Sequence, residues 1–418
     1  MEKLLIEGNH HLKGEVRISG AKNAVLPIMA AALLVEGETK INRVPDLRDT
    51  RTFANLLEIL GAKIQFSNNE MLIDASSVDK PIAPYDLVNK MRASFYVLGP
   101  LVARFGKAVV SLPGGCAWGP RPVDYHLKGL EKLGAKIELE GGDIIAKAKR
   151  LIGNKIRFDF PSVGATGNIL MAAVNALGET KIENAAKEPE IVQLCEFLVS
   201  MGAKIDGIGT TEIIINGVDE LKPQQVSVIP DRIEAGTFLI AGAALGKITL
   251  KDTIPEHLSV VIEKLIEVGA EVVIDNNDIT VKRGKKINAI DITTAVFPGF
   301  ATDLQAQWIA LMSIAEGSSI VTDTIYNDRF SHVPELNRLG ANITVEGNSA
   351  IVRGVNELIG AEVRSTDIRA SASLVLAGLM AKGTTEVNHI YHIDRGYENI
   401  ENKFAQLGAK IRRISVDD

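Results

Sequence analysis

Leu60-Gly61-Ala62-Lys63 decides how this chain is read, because near-copies return five more times. They are Leu133-Gly134-Ala135-Lys136, Met201-Gly202-Ala203-Lys204, Val268-Gly269-Ala270-Glu271, Leu339-Gly340-Ala341-Asn342 and Leu407-Gly408-Ala409-Lys410. Successive glycines lie about 70 residues apart. Solenoid repeats have periods of roughly 20–50 residues, so each copy here closes a small subdomain instead. An amphipathic stretch precedes each copy: Phe53, Leu56, Leu57 and Leu60 share one helical face, as do Leu258, Val261, Ile262 and Leu265. The glycine stands where a helix C-cap is expected, and an alternating strand such as residues 270–274 comes next. Each unit therefore ends helix, glycine stop, strand.

A second helix recurs in every unit, at residues 24–35, 93–103, 165–177, 235–245, 304–315 and 370–381. These stretches are apolar nearly all round and rich in small residues, the pattern of a helix buried on every side. A glycine succeeds each one (Gly37, Gly106, Gly178, Gly246, Gly317, Gly383), and then a short β-branched run such as residues 247–250 or 319–321. The economical packing is an α/β fold with small-residue helices inside and sheets outside. It is a two-lobed, inside-out α/β barrel of six repeated units, three per lobe. The junction is expected within residues 217–230, where Pro223, Gln224 and Gln225 interrupt the pattern. One lobe is then 22–229, and the other joins 1–21 to 230–418. The first strand, residues 3–7, is expected to belong with the C-terminal lobe, so that the chain crosses between lobes twice, as suits a hinge.

Composition excludes several classes. Lys+Arg 46 against Asp+Glu 52 leaves a net charge of −6. That is wrong for a general binder of nucleic acid or of an anionic membrane, since both need a basic surface. The apolar runs fall short of the roughly twenty residues of a spanning helix. The N-terminus meets charges too soon for a signal peptide. The 2 cysteines make no disulfide framework, and a reducing cytoplasm is the simplest compartment. No Walker loop or dinucleotide fingerprint appears. His126, His332 and His392 lack metal-ligand spacing, so neither a metal nor a cofactor is expected.

The two cysteines differ in setting. Cys195 shares a helical face with Ile191, Leu194 and Leu198 and reads as core. Cys116 lies in Pro113-Gly114-Gly115-Cys116-Ala117-Trp118-Gly119-Pro120-Arg121-Pro122. Glycines let that backbone approach a ligand and prolines stiffen it. A guanidinium five residues on favours the thiolate. The alternative is a structural cysteine in a turn.

Polar groups gather where the buried helices begin: Ser19-Gly20-Ala21-Lys22-Asn23, Lys90-Met91-Arg92, Ser162-Val163-Gly164, Asp231-Arg232, Thr302-Asp303 and Asp367-Ile368-Arg369. A helix start carries unpaired N–H groups and about half a positive charge, so several together suit an anion. Ordinary capping by Ser, Thr and Asp is the alternative. It leaves Lys22, Arg92 and Arg369 unexplained, because cations are unwelcome at helix starts. Arg329 and Arg395 stand in loops, as bidentate anion ligands or as surface ion-pair partners.

Taken in order, Gly20-Ala21-Lys22-Asn23, the Cys116 loop, Ser162-Val163-Gly164-Ala165-Thr166, Asn184-Ala185-Ala186 with Glu188-Pro189-Glu190, Thr302-Asp303-Leu304-Gln305-Ala306-Gln307 and Tyr391-His392-Ile393-Asp394-Arg395-Gly396-Tyr397 resemble the bacterial UDP-N-acetylglucosamine 1-carboxyvinyltransferases, the MurA family of enolpyruvyl transferases, over essentially the whole chain. The resemblance implies transfer of enolpyruvyl from phosphoenolpyruvate to the 3-hydroxyl of UDP-N-acetylglucosamine. Phosphate is released through a tetrahedral ketal, in the first committed step of peptidoglycan synthesis. It implies Cys116 as proton donor and target of fosfomycin-type epoxides, and Asp303 as base. Lys22, Arg121 and Arg395 would hold the phosphate region, with Arg329 and Arg395 at the carboxylate. Asn23, Arg92, Arg121, Pro122, Val123, Asp124, Tyr125, Ser162, Val163, Gly164, Asp303 and Ile325 would bind the UDP-sugar, and Arg369 joins the binding set. Phe160 departs from the family, standing where a lysine is common, and Trp118 and Pro120 are bulkier or stiffer than the family loop leads one to expect.

Two rivals make distinct predictions. A transferase acting on shikimate 3-phosphate has the same fold but does not use a loop cysteine. A non-catalytic repeat scaffold has no reason to place Lys22, Arg92, Arg121, Asp303, Arg369 and Arg395 at matching positions.

Overall fold

Six four-stranded sheets carry the repeat. The structure is a computed structural model that describes residues 2–88, 91–112 and 123–415, with Arg92 as backbone alone. In each sheet one outer strand pairs in parallel with its neighbour, and the remaining pairs are antiparallel. Thus Ile82–Ala83 runs parallel to Lys107–Ser111, which pairs antiparallel with Asp143–Lys147, itself antiparallel to Lys136–Glu140. The parallel pair needs a crossover. Here it is a small-residue helix, Leu98–Phe105, preceded by a 3₁₀ segment at Arg92–Val97.

The chain forms two units, Gly20–Ile229 and Met1–Ser19 with Pro230–Asp418. Each has its own apolar core. The two passages between units fall between a strand and the helix after it. Leu12–Arg17 therefore pairs not with the strand after the next helix in sequence but with Gly246–Lys251, and Gln225–Ser227 pairs with Glu38–Asn42. Gly20 is required at the first passage, because a Cβ there would stand 1.9 Å from the Arg43 carbonyl oxygen. The sixth sheet is completed by the N-terminus: Glu2–Glu7 lies between Thr384–Asn388 and Lys410–Ser415. The chain thus begins with the strand that its last repeat lacks.

The sequence patterns map onto this topology. The helix Arg232–Leu245 is buried from Ile233 to Leu245 without a break. The amphipathic helix Arg48–Leu60 buries Phe53, Leu56, Leu57 and Leu60. It ends as the motif predicts: Gly61 takes φ 108°, the Gly61 N–H donates to Glu58 and the Ala62 N–H to Leu57. All six motif glycines have positive φ, from 89° at Gly134 to 111° at Gly202, a region where a side chain is strained. The glycines after the inner helices behave less uniformly. Gly246 has φ 168°, ordinary extended backbone, because the helix runs straight into the strand Gly246–Lys251. No helix of the described residues is long and apolar enough to cross a membrane.

Candidate active site

Three of the inner helices begin with a side-chain cap and three do not. Ser162 accepts from the Ala165 N–H, Asp231 from Ile233 and Glu234, and Asp367 from Arg369 and Ala370. Ala21, Met91 and Ala301 offer no capping side chain. The uncapped starts are those of Lys22, Arg92 and Asp303. Side-chain capping therefore accounts for half of the polar starts and not for those of Lys22, Arg92 and Asp303.

In the unit Met1–Ser19 with Pro230–Asp418, Asp303 lies in the 3₁₀ turn Thr302–Leu304 that opens the helix Gln305–Met312. Its two oxygens meet two guanidiniums: Arg329 Nη1 is 2.8 Å from Oδ1 and Arg369 Nη2 is 3.0 Å from Oδ2. Both arginines are buried. Arg329 Nη1 also donates to Thr302 Oγ1 at 3.1 Å, and that hydroxyl donates to Asp323 Oδ2 at 2.6 Å. Asp323, fully buried, further accepts from Thr294 Oγ1 and from the backbone N–H groups of Ile325 and Tyr326. It thereby fixes the turn that presents Ile325 and Arg329.

Arg369 is the second residue of the helix Ile368–Met380. Burial works to lower its pKa, but the Asp303 and Asp231 carboxylates and Tyr397 raise it above the usual guanidinium range. Arg369 lies over the Tyr397 ring, 5.6 Å from its centroid, and the Tyr397 hydroxyl is held by Gln307 Nε2 and Thr237 Oγ1, each at 3.0 Å. Arg369 Nη1 has no hydrogen-bond acceptor among the described residues. A buried donor in that state is costly unless something fills the place. Nη1 lies 3.7 Å from where a Gly396 Cβ would stand, so it faces the turn that carries Arg395. Arg395 is half-buried and ends the 3₁₀ segment Ile390–Arg395.

In the unit Gly20–Ile229, Lys22 is the first residue of the helix Lys22–Ala31 and is buried, with Nζ 3.1 Å from Asp49 Oδ2. Asn23 beside it is half-buried. The segments holding Val123, Asp124 and Tyr125 and holding Ser162, Val163 and Gly164 come together. A Cβ on Gly164 would lie 3.2 Å from the His126 ring, and Tyr125 packs 5.8 Å from Phe158. His126 is buried, within 3.0 Å of Asn168 Nδ2 and edge-on to Phe95, so it is a packing histidine. Phe160 is exposed. Cys116, Arg121 and Pro122 and the Arg92 side chain lie outside the described residues. Cys195 is fully buried, with its thiol pushed up to about 12 by burial.

A profile of the EPSP synthase (3-phosphoshikimate 1-carboxyvinyltransferase) family matches residues 6–404. The UDP-N-acetylglucosamine 1-carboxyvinyltransferase of Chloroherpeton thalassium is 57% identical to this chain, across 100% of the chain and 98% of that protein. The chain belongs to the UDP-N-acetylglucosamine 1-carboxyvinyltransferase family. UDP-N-acetylglucosamine 1-carboxyvinyltransferase 2 of Carboxydothermus hydrogenoformans is 55% identical over 99% of the chain and 100% of that protein. Among solved structures, the enolpyruvyl transferase NikO from Streptomyces tendae superposes with a TM-score of 0.90 at 26% identity, covering 100% of this chain and 99% of that one. An EPSP synthase from Acinetobacter baumannii gives 0.78 at 20% identity over 99% of this chain and 100% of its own, a likeness of fold.

This member of the UDP-N-acetylglucosamine 1-carboxyvinyltransferase family contains polar partners that sequence reasoning missed. Asp49 holds Lys22, Asp323 holds the Ile325–Arg329 turn, and Tyr397 carries Arg369. None stands in a periodic pattern. Only Tyr397 belongs to one of the family-like motifs, and nothing in the sequence around it marks its hydroxyl as buried.

Proposed function

We propose that this chain transfers the enolpyruvyl group of phosphoenolpyruvate to the 3-hydroxyl of UDP-N-acetylglucosamine, releasing phosphate. The sugar oxygen bonds to C2 of phosphoenolpyruvate while its methylene carbon takes a proton, giving a tetrahedral ketal. The C2–O bond to phosphate then breaks and the methyl group returns a proton, which restores the vinyl group. Cys116 supplies the proton to the methylene and Asp303 removes one from the hydroxyl. Lys22, Arg121 and Arg395 hold the phosphate region, and Arg329 and Arg395 the carboxylate. Asn23, Arg92, Arg121, Pro122, Val123, Asp124, Tyr125, Ser162, Val163, Gly164, Asp303 and Ile325 bind the UDP-sugar, with Arg369 beside them. The reaction serves peptidoglycan synthesis in the cytoplasm.

The observation that carries this reading is the pair of guanidiniums on Asp303. A carboxylate sits between two cations at a helix start, and Arg369 Nη1 has no acceptor among the described residues. Preorganised charge of that kind is usually the largest catalytic term. Because each Asp303 oxygen is engaged by an arginine, an arginine must shift toward the substrate's carboxylate before Asp303 takes a proton. Incubation with both substrates should yield, by mass spectrometry, a UDP-sugar heavier by one enolpyruvyl group. A UDP-sugar of unchanged mass, with both substrates intact, overturns the reading.

A further inference from the structure

The segment that ends in Arg395 is fastened on both sides. After Arg395, Gly396 packs so closely on the start of the helix Ile368–Met380 that a Cβ would lie 2.4 Å from Ile368 Cγ2. The N–H groups of Gly396 and Tyr397 both donate to the Ile393 carbonyl. Before Arg395, Asp394 is gripped by Arg413: Nη2 donates to Oδ1 at 2.6 Å and Nη1 to Oδ2 at 3.0 Å. This is a two-point fork, the geometry in which a guanidinium fixes the plane of a carboxylate as well as its position. Arg413 stands on the strand Lys410–Ser415, opposite Leu4 of the N-terminal strand. It reaches Glu401 with Nε at 2.8 Å and Glu2 with Nη1 at 3.1 Å. Asp394 foremost, and Glu401 with it, raise the guanidinium's pKa against the opposing effect of burial.

We infer that Arg413 is a positioning residue for Arg395: by forking onto Asp394 it sets where the Arg395 guanidinium meets the anionic small substrate. The inference rests on the reading of Arg395 as a phosphoenolpyruvate ligand. Neither Arg413 nor Asp394 touches substrate; both act through the backbone of Ile390–Arg395. The sheet supplies the rigidity, since the strand bearing Arg413 is hydrogen-bonded along its length to Glu2–Glu7. A lysine at 413 keeps the charge but loses the fork, because its ammonium is a point charge without a planar donor pair.

The test uses full-length enzyme and phosphate release, with KM for each substrate and kcat measured separately for Arg395→Ala, Arg413→Gln, Arg413→Lys, Asp394→Asn and the double variant R413Q/D394N. Arg395→Ala should raise KM for phosphoenolpyruvate. Arg413→Gln and Asp394→Asn should each raise it by up to roughly a hundredfold, the scale of loss that a misplacement of about an ångström can cause. KM for UDP-N-acetylglucosamine should be unchanged, a split that a general loss of stability does not produce. The double variant should be no worse than either single one, because the two residues act as a unit, and Arg413→Lys should recover only part of the loss. Asp394→Asn keeps the shape of the site and carries the test where Arg413→Gln does not fold. An effect of Arg395→Ala without one from Asp394→Asn or Arg413→Gln overturns the assignment of Arg413. An unchanged KM in Arg395→Ala overturns the underlying reading of Arg395 instead.

Discussion

Replacing Asp303 by asparagine should destabilise the protein as well as inactivate it. In many functional sites the removal of a charge relieves repulsion and raises stability. Here the sign reverses, because the neighbours are two cations. The side chains of Arg369 and Arg329 are 5% and 9% exposed, and Asp303 is 24% exposed. Without the carboxylate, Arg329 keeps the Thr302 hydroxyl and Arg369 keeps the Tyr397 ring, while the two cations face each other with no charge between them. Breaking a buried pair by deleting one partner costs about 3–5 kcal/mol. Water already reaches Asp303, so the lower end, about 3 kcal/mol, applies. The unit Met1–Ser19 with Pro230–Asp418 has roughly two hundred residues. For that size about 1 kcal/mol lowers the melting temperature by about 2–4 °C, giving a drop of roughly 6–12 °C. Thermal unfolding by circular dichroism at pH 7 reads it, with Arg369→Met in parallel. Phosphate release should fall by roughly 10²–10⁴, the usual contribution of a general base. An Asp303→Asn protein that melts within about 2 °C of the parent, or above it, shows that the Arg329 and Arg369 pairs with Asp303 do not stabilise the fold.

Acid should weaken the same unit through His332. Burial first, and then the Arg329 charge, push this histidine down to about 3 in the folded protein. The unfolded chain takes up its proton near 6.5, so below that pH the unfolded state binds more protons and stability falls as pH falls. At pH 5 the loss is about 2 kcal/mol, and denaturant melts at pH 7 and pH 5 should show it in the parent but not in His332→Asn; equal pH dependence in both contradicts the assignment. The two cysteines should separate in reactivity. Cys195 is fully buried with a raised thiol pKa, so a fosfomycin-type epoxide should leave one adduct, mapped by peptide mass spectrometry to Cys116. An adduct on Cys195, or none, contradicts the proposed proton donor.

The repeat was legible because its punctuation is local. Positive φ after a helix demands glycine, and all six motif glycines show it. The N-terminal strand was expected to join the C-terminal lobe, and Glu2–Glu7 pairs with Thr384–Asn388 and Lys410–Ser415; that it completes a sheet of four was not legible, because no sequence pattern counts the strands of a sheet. Gly246 differs because the backbone conformation at a helix end depends on how the next strand is reached, not on the glycine alone. Among the candidate residues, the cations Lys22 in one unit and Arg329 and Arg369 in the other were legible as misfits: charges at helix starts or in loops within an apolar repeat. Their partners were not. Asp49 is 27 residues from Lys22 and Asp303 is 66 from Arg369, and no spacing rule spans such distances. A buried tyrosine hydroxyl such as Tyr397 likewise shows its role only once Thr237 and Gln307 are packed against it.

Phosphate release from phosphoenolpyruvate, measured with and without UDP-N-acetylglucosamine, tests the central claim most directly. The account predicts release only when the UDP-sugar is present, one phosphate per enolpyruvyl-sugar formed, and none when shikimate 3-phosphate takes its place. Release with shikimate 3-phosphate, or at the same rate with no acceptor at all, contradicts it.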